Sequence, residues 1–226
     1  MPLPLKEILA ALEECYGVPP PPEITDPFQQ ILWENLAYLA SDERRQAAFD
    51  VLRDRVGLDP EEISLASPEM LTEICALGGI YPELRAERLQ DSASLVIEKY
   101  DGDLSAVLKL PLPKAKSALR QFPVIGEPGA EKILLFARAY PILALDSNGL
   151  RALVRIGYGE EAPSYSTTYK SAKNAAADQI IEECPWLISA YQLLRRHGQE
   201  LCRRTMPHCH ECPLSHGCAY ALKNAN

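Results

Sequence analysis

The sequence predicts an all-α chain. Apolar residues recur at helical spacing, helix-starting and helix-stopping residues punctuate those runs, and no stretch alternates apolar with polar as a half-buried strand does. Phe28, Ile31, Leu32, Leu36 and Leu39 fall at offsets 0, 3, 4, 8 and 11, a helical stripe that opens after Asp26-Pro27. A second helix over Glu43 to Val56 stops at Gly57. Asp59-Pro60-Glu61-Glu62 opens a third with an N-cap, a proline at the first helical position and a capping-box glutamate. Ser67-Pro68 starts the next, which carries Leu71, Ile74, Cys75 and Leu77 and ends at Gly78-Gly79, where glycine accepts the left-handed conformation past a helix end. Helices over about 83–99, 114–121, 128–140, 147–156, 168–181 and 186–199 follow from the same signals.

With 226 residues, 47% hydrophobic and 24% charged, the chain has apolar material for one or two sizeable cores, which excludes disorder as its main state. No apolar run reaches the length of a membrane span. The start, MPLPLKEILAALEECYG, lacks the basic flank and cleavage site of a signal peptide, so the expected compartment is the cytoplasm, with nucleoid association in a prokaryote. A net charge of −8 argues against wholesale attraction to nucleic acid, and any DNA binding has to rest on local features. Acidic residues gather in the first half. Arg151, Arg155, Arg195, Arg196, Arg203 and Arg204 gather late and could form a positive face.

Cys15, Cys75 and Cys184 stand alone and read as buried small hydrophobes. The tail reads Cys202-x6-Cys209-x2-Cys212-x5-Cys218, and such crowding in a cytosolic chain points to metal more than to disulfides. Four close thiolates can wrap one tetrahedral zinc or one [4Fe–4S] cluster, with His208, His210 and His216 as competing zinc ligands. Zinc sites more often bring two paired CxxC knuckles. A single close pair with unequal loops suits the corners of a larger cluster.

The cysteine spacing resembles that of the helix-hairpin-helix (HhH-GPD) DNA glycosylase superfamily, in its endonuclease III and MutY group. His197-Gly198 precedes Cys202 as a His-Gly pair does in those enzymes, Leu145-Asp146-Ser147-Asn148-Gly149-Leu150-Arg151 is similar to their VDT-x-x-x-R segment, and Phe122-Pro123-Val124-Ile125-Gly126 stands at the place of their LPGVG hairpin. The similarity runs from Asp26 to Cys218. It implies two helical domains with a cleft between them: a six-helix barrel-type domain with the helix-hairpin-helix over 20–140, and a [4Fe–4S] domain from 1–19 and 141–226, its cluster on Cys202, Cys209, Cys212 and Cys218. It also implies a monomer acting on double-stranded DNA, away from membranes, in base-excision repair.

By that resemblance the hairpin aims backbone N–H groups of Val124, Ile125 and Gly126 at a phosphate, with Gly126 supplying a tight turn and Arg203 and Arg204 adding phosphate contacts from the first cluster loop. Val124 replaces a family glycine, and Glu127 puts a negative charge beside the phosphate. Bifunctional members carry a Schiff-base lysine where this chain has Pro128, whose ring nitrogen cannot attack a sugar. Lys132, one turn deeper, reads as a solvated helix residue. Asp146 matches the aspartate that stabilises the cationic sugar, although an aspartate before a helix also serves as a plain N-cap. Glu34 stands eight residues after Asp26, as the MutY glutamate that protonates adenine does; a solvated helix face is the alternative. Leu39 takes the place of the glutamine inserted into the base stack, and an apolar wedge there cannot hydrogen-bond the widowed base. MutY enzymes continue into a domain that recognises 8-oxoguanine, whereas eight residues follow Cys218 here, so the resemblance implies a glycosylase core and leaves the base open. The expected activity is a monofunctional glycosylase with water as nucleophile. The alternatives are a bifunctional glycosylase/AP lyase and a non-catalytic protein that binds damaged DNA.

Overall fold

The computed structural model describes residues 2–224, and among them the regular structure is thirteen α-helices, one 3-10 turn and a single isolated bridge between Tyr38 and Gly79. The chain is all-α, as its periodicity requires. It forms two compact units, one made of Met1–Pro22 with Tyr140–Asn226 and the other of Glu23–Ala139.

In the Glu23–Ala139 unit the capping signals act as read. Asp26 accepts from the Gln29 N–H at 2.9 Å and opens helix Pro27–Leu36, and Ser67 accepts from the Met70 N–H at 3.2 Å and opens helix Pro68–Leu77. Phe28, Ile31, Leu32 and Leu36 are buried, together with Leu52, Leu71, Ile74, Leu89 and Val96 of helices Asp42–Arg55, Pro68–Leu77 and Pro82–Tyr100. Gly78 permits the close approach of two segments: a Cβ there would lie 1.9 Å from the Leu36 carbonyl oxygen. Arg85, buried on helix Pro82–Tyr100, secures the same place. Its guanidinium donates to the carbonyls of Leu36, Cys75 (2.6 Å), Gly79 (2.8 Å) and Ile80 (2.9 Å), so the loops after two helices hang on one side chain.

Several boundaries differ from the periodic reading. Helix Glu127–Phe136 stops four residues early because Arg138 turns left-handed at φ 55° and the Ala139 N–H closes on the Leu134 carbonyl, a C-terminal closure reached without glycine. Helix Tyr165–Ala176 starts three residues early because Ser164 caps it, accepting from the Thr167 N–H at 3.3 Å. Helix Leu112–Leu119 likewise begins and ends earlier, with Pro113 in its first turn. The short helices Ser105–Leu108 and Ala219–Lys223 carry no periodic signal.

In the other unit helix Leu5–Tyr16 buries Leu5, Ile8, Leu9 and Leu12 and is tied to distant sequence by polar bonds. The Leu5 N–H donates to Gln179 Oε1 (2.7 Å), and Arg196 donates to the Tyr16 carbonyl (2.9 Å). Helices Ser147–Ile156 and Cys184–Glu200 pack on each other, the first burying Leu150 and Leu153 and the second Leu187 and Leu194. Gly198 makes their close approach possible, since a Cβ on it would meet the Asn148 carbonyl oxygen at 2.4 Å. Of the three isolated cysteines only Cys75 is a buried small hydrophobe. Cys15 is exposed and Cys184 half-buried, because their helices point them away from the apolar seam.

Candidate active site and cysteine-lined pocket

Asp146 is the N-cap of helix Ser147–Ile156. Oδ1 accepts from the Gly149 N–H at 2.7 Å, Oδ2 accepts from Asn148 Nδ2 at 3.2 Å, and Arg195 Nε lies 3.3 Å from Oδ2. Donors thus reach both oxygens, and the positive end of the helix favours a negative group there. Tyr165 lies close by; burial, then the Asp146 charge, pushes its phenol up to about 12.

In the Glu23–Ala139 unit, Glu34 and Lys132 meet although 98 residues separate them in sequence. Lys132 is buried rather than solvated, its Nζ paired with Glu34 Oε1 and 5.7 Å from the Phe136 ring centroid. Lys132 is carried to the core side because Ala130, Ile133 and Leu134 set the buried face of helix Glu127–Phe136. Arg45 Nη1 lies 3.5 Å from Glu34 Oε2, and its guanidinium sits over the Trp33 ring. A carboxylate between two cations is a good anchor for them.

The hairpin turn lies between helices Leu112–Leu119 and Glu127–Phe136. Its left-handed residue is Val124 (φ 59°, 54% exposed), not Gly126, whose φ of −87° any residue adopts. A Cβ on Gly126 would touch only Pro128 Cδ at 3.8 Å. Ile125 does not offer its N–H outward: the side chain is buried and the N–H donates to the Phe122 carbonyl at 3.2 Å. Val124 and Gly126 make no such bond among the described residues. Glu127 is paired with Lys116 and lies 3.5 Å from Arg120, which offsets its charge. Leu39 is 78% exposed with φ 51°, beside the stacked rings of Tyr38 and Tyr81.

The late arginines do not make a free positive face. Arg151 donates to the Gly198 carbonyl at 2.6 Å and to the Cys202 carbonyl at 2.9 Å. Arg155 donates to the Arg203 carbonyl at 2.6 Å and the Arg204 carbonyl at 3.0 Å while stacking on Tyr220. Arg196 pairs with Glu200 at 2.7 Å. Arg151 and Arg155 hold the first cysteine loop, and the side chains of Arg203 and Arg204 remain exposed on it.

Cys202, Cys209, Cys212 and Cys218 line one pocket with His197 and Arg155 at its wall. Among the described residues no group of three or more Cys, His, Asp or Glu side chains closes on a single metal ion. Arg155 Nη1 lies 3.6 Å from Cys202 Sγ, and His197 Nε2 lies 3.7 Å from Cys212 Sγ while its Nδ1 meets the Tyr16 hydroxyl at 3.0 Å. Burial lowers His197 to about 4 and pushes the Cys212 thiol up to about 11. Buried thiols of this kind become thiolates when a bound cation offsets their charge. Neither donor to sulfur was legible in the sequence, although the His197-Gly198 pair marked the place.

No family model matches the chain. It is 24% identical over 201 residues to an endonuclease III of Sulfolobus acidocaldarius, covering 87% of this chain and 83% of that protein. It is 24% identical over 163 residues to a thymine-DNA glycosylase of Aeropyrum pernix, covering 72% and 69%. A solved structure of an endonuclease III trapped as a covalent intermediate with DNA superposes with a TM-score of 0.76 at 20% identity, covering 99% of this chain and all of that one. The fold is that of the solved endonuclease III, and in sequence the chain is similar to endonuclease III and to a thymine-DNA glycosylase. No helix among the described residues is long and apolar enough to cross a membrane.

Proposed function

We propose that the protein is a DNA base-excision glycosylase that hydrolyses the N-glycosidic bond of a damaged or mispaired base in double-stranded DNA, as a monomer. The observation that carries this reading is Asp146, a half-exposed carboxylate held by the Gly149 N–H, Asn148 and Arg195 at a helix N-terminus, in a chain whose relatives are DNA glycosylases. A fixed carboxylate stabilises the cationic sugar that develops at C1′ and orients the attacking water. Pro128 provides no amine. The Val124 and Gly126 N–H groups, at the start of helix Glu127–Phe136, and the side chains of Arg203 and Arg204 are assigned to phosphates, and Leu39 to the gap left by the extruded nucleotide.

Cys202, Cys209, Cys212 and Cys218 would hold a [4Fe–4S] cluster. The support is that the four thiols border one cavity instead of meeting at a point, with Arg155 and His197 directed at two of the sulfurs. The cluster would supply an iron centre that cross-links the tail. On this reading Arg155 and Arg151 keep the Cys202 loop in place for it.

A second reading, AP lyase activity through Lys132, is favoured by one observation: the amine is buried instead of lying in solvent. One experiment separates the two. Duplexes with single lesions are incubated with the protein and resolved with and without alkali, and a parallel sample is treated with borohydride. Hydrolysis gives strand breaks only after alkali and no trapped adduct. A borohydride adduct lost in Lys132→Ala establishes the lyase, and absence of base release from every lesion leaves a DNA-binding protein.

A further inference from the structure

His197 is 1% exposed and meets the cysteine tail at two points. Its carbonyl accepts the Cys202 N–H at 2.8 Å, where the first cysteine loop leaves helix Cys184–Glu200, and its ring turns Nε2 toward Cys212 Sγ at 3.7 Å. The backbone beside it has no room to shift, because Gly198 packs without clearance on the Asn148 carbonyl. The other ring nitrogen, Nδ1, lies 3.0 Å from the hydroxyl of Tyr16, 181 residues away in sequence. Tyr16 is held in turn by Arg196, whose guanidinium sits 4.8 Å from its ring centroid and donates to its carbonyl at 2.9 Å. A chain of contacts therefore runs from the end of helix Leu5–Tyr16, through one imidazole, to one sulfur of the pocket.

A sulfur that ligates iron has no proton to give and can only accept. The ring facing it must carry a proton on Nε2, and in the neutral ring this leaves Nδ1 as an acceptor for the Tyr16 O–H. We propose that His197 donates a hydrogen bond to the Cys212 sulfur of the cluster, and that Tyr16 is the positioning residue that fixes the ring for it. The inference rests on the cluster reading and goes beyond it by giving the N-terminal helix a role at the metal site. The donor offsets negative charge on the sulfur. Reduction adds negative charge, so the reduced form gains more from the bond, which raises the reduction potential. The same bond resists opening of the Cys212 corner.

The test uses the full chain purified with its iron under anaerobic conditions and labelled with 15N in histidine, as wild type, Tyr16→Phe, His197→Leu and His197→Gln. Tyr16→Phe removes only the hydroxyl and keeps a ring under Arg196, and circular dichroism checks the fold of each variant. Pulsed EPR of the cluster in its paramagnetic state should show a 15N coupling in the wild type that His197→Leu lacks. Voltammetry should place the midpoint potential of His197→Leu below the wild type, with His197→Gln between them, since its amide can still donate. Tyr16→Phe should shift the same way by less. Iron loss to a chelator should quicken about tenfold in His197→Leu, the low end of what losing the partner of a metal ligand costs. Faster iron loss with an unmoved potential marks a merely structural role and overturns the inference, as does a wild type without 15N coupling. A Tyr16→Phe protein with wild-type potential and coupling overturns the role of Tyr16. A colourless protein removes the cluster reading and the inference with it, whereas a brown protein whose potential ignores His197 removes the inference alone.

Discussion

Lys132 Nζ is held by Glu34 Oε1 inside one helical unit, which ties helix Glu127–Phe136 to helix Pro27–Leu36. The lysine is almost fully buried and the glutamate about a quarter exposed, so the pair is partly screened. Removing the carboxylate leaves an ammonium with little solvent. Glu34→Gln is expected to lower stability in urea by about 1–3 kcal/mol, below the full cost of breaking a wholly buried pair. Adding Lys132→Met should recover most of that loss, since a neutral thioether tolerates the site. A double variant no more stable than Glu34→Gln would show that the ion pair is incidental.

Val124 occupies a left-handed turn position that disfavours a β-branched side chain by about 1–3 kcal/mol. Val124→Gly should therefore raise the urea midpoint with an unchanged slope, by about 1 kcal/mol once the extra entropy of the unfolded glycine is subtracted. Gly126→Ala should be close to neutral, given the open space at its Cβ. The reverse order would mean that Gly126 carries the turn.

This turn also shows what the sequence could and could not convey. Motif position pointed to the glycine, yet the strain falls two residues earlier, because φ is set by how the turn joins two packed helices and not by residue type. Helices with strong caps, such as those opening at Asp26, Asp59 and Ser67, were legible because their signals are local. The extra Ser164 cap and the glycine-free end at Arg138 were not, since tertiary closure decides them. Asp146 was legible as an N-cap from its place before an apolar-periodic helix, and the grouping of the four tail cysteines from their spacing. The burial of Lys132 and the fan of Arg85 depend on partners 98 and 49 residues away, which no periodic pattern encodes.

The cysteine-lined pocket leads to a prediction about metal. Purified protein should be brown, with about four irons and four labile sulfides per chain. Serine at Cys202, Cys209, Cys212 or Cys218 should lower the iron content and the visible absorption, while serine at Cys15 or Cys184 should leave both unchanged. Arg155→Met should retain iron initially but lose it faster to a chelator, because the loop through Arg203 and Arg204 is no longer held. A colourless protein with one tightly bound zinc would falsify the cluster.

The capping role of Asp146 and the catalytic role proposed for it can be separated by one substitution. Asparagine is as good an N-cap as aspartate, and its Oδ1 can still accept from the Gly149 N–H, so Asp146→Asn should keep helix Ser147–Ile156 and most of the stability. It removes the charge. Base release should then fall by about 10²–10³-fold, the usual effect of deleting one fixed electrostatic contact to a developing charge. Serine also caps helices but holds no charge, so Asp146→Ser should resemble asparagine in both respects. The readouts are the thermal midpoint and single-turnover release of the lesion excised fastest. If stability collapses with Asp146→Asn while the residual folded protein releases base at the normal rate, Asp146 is only a cap paired with Arg195. If stability holds and release is lost, the carboxylate acts on the sugar.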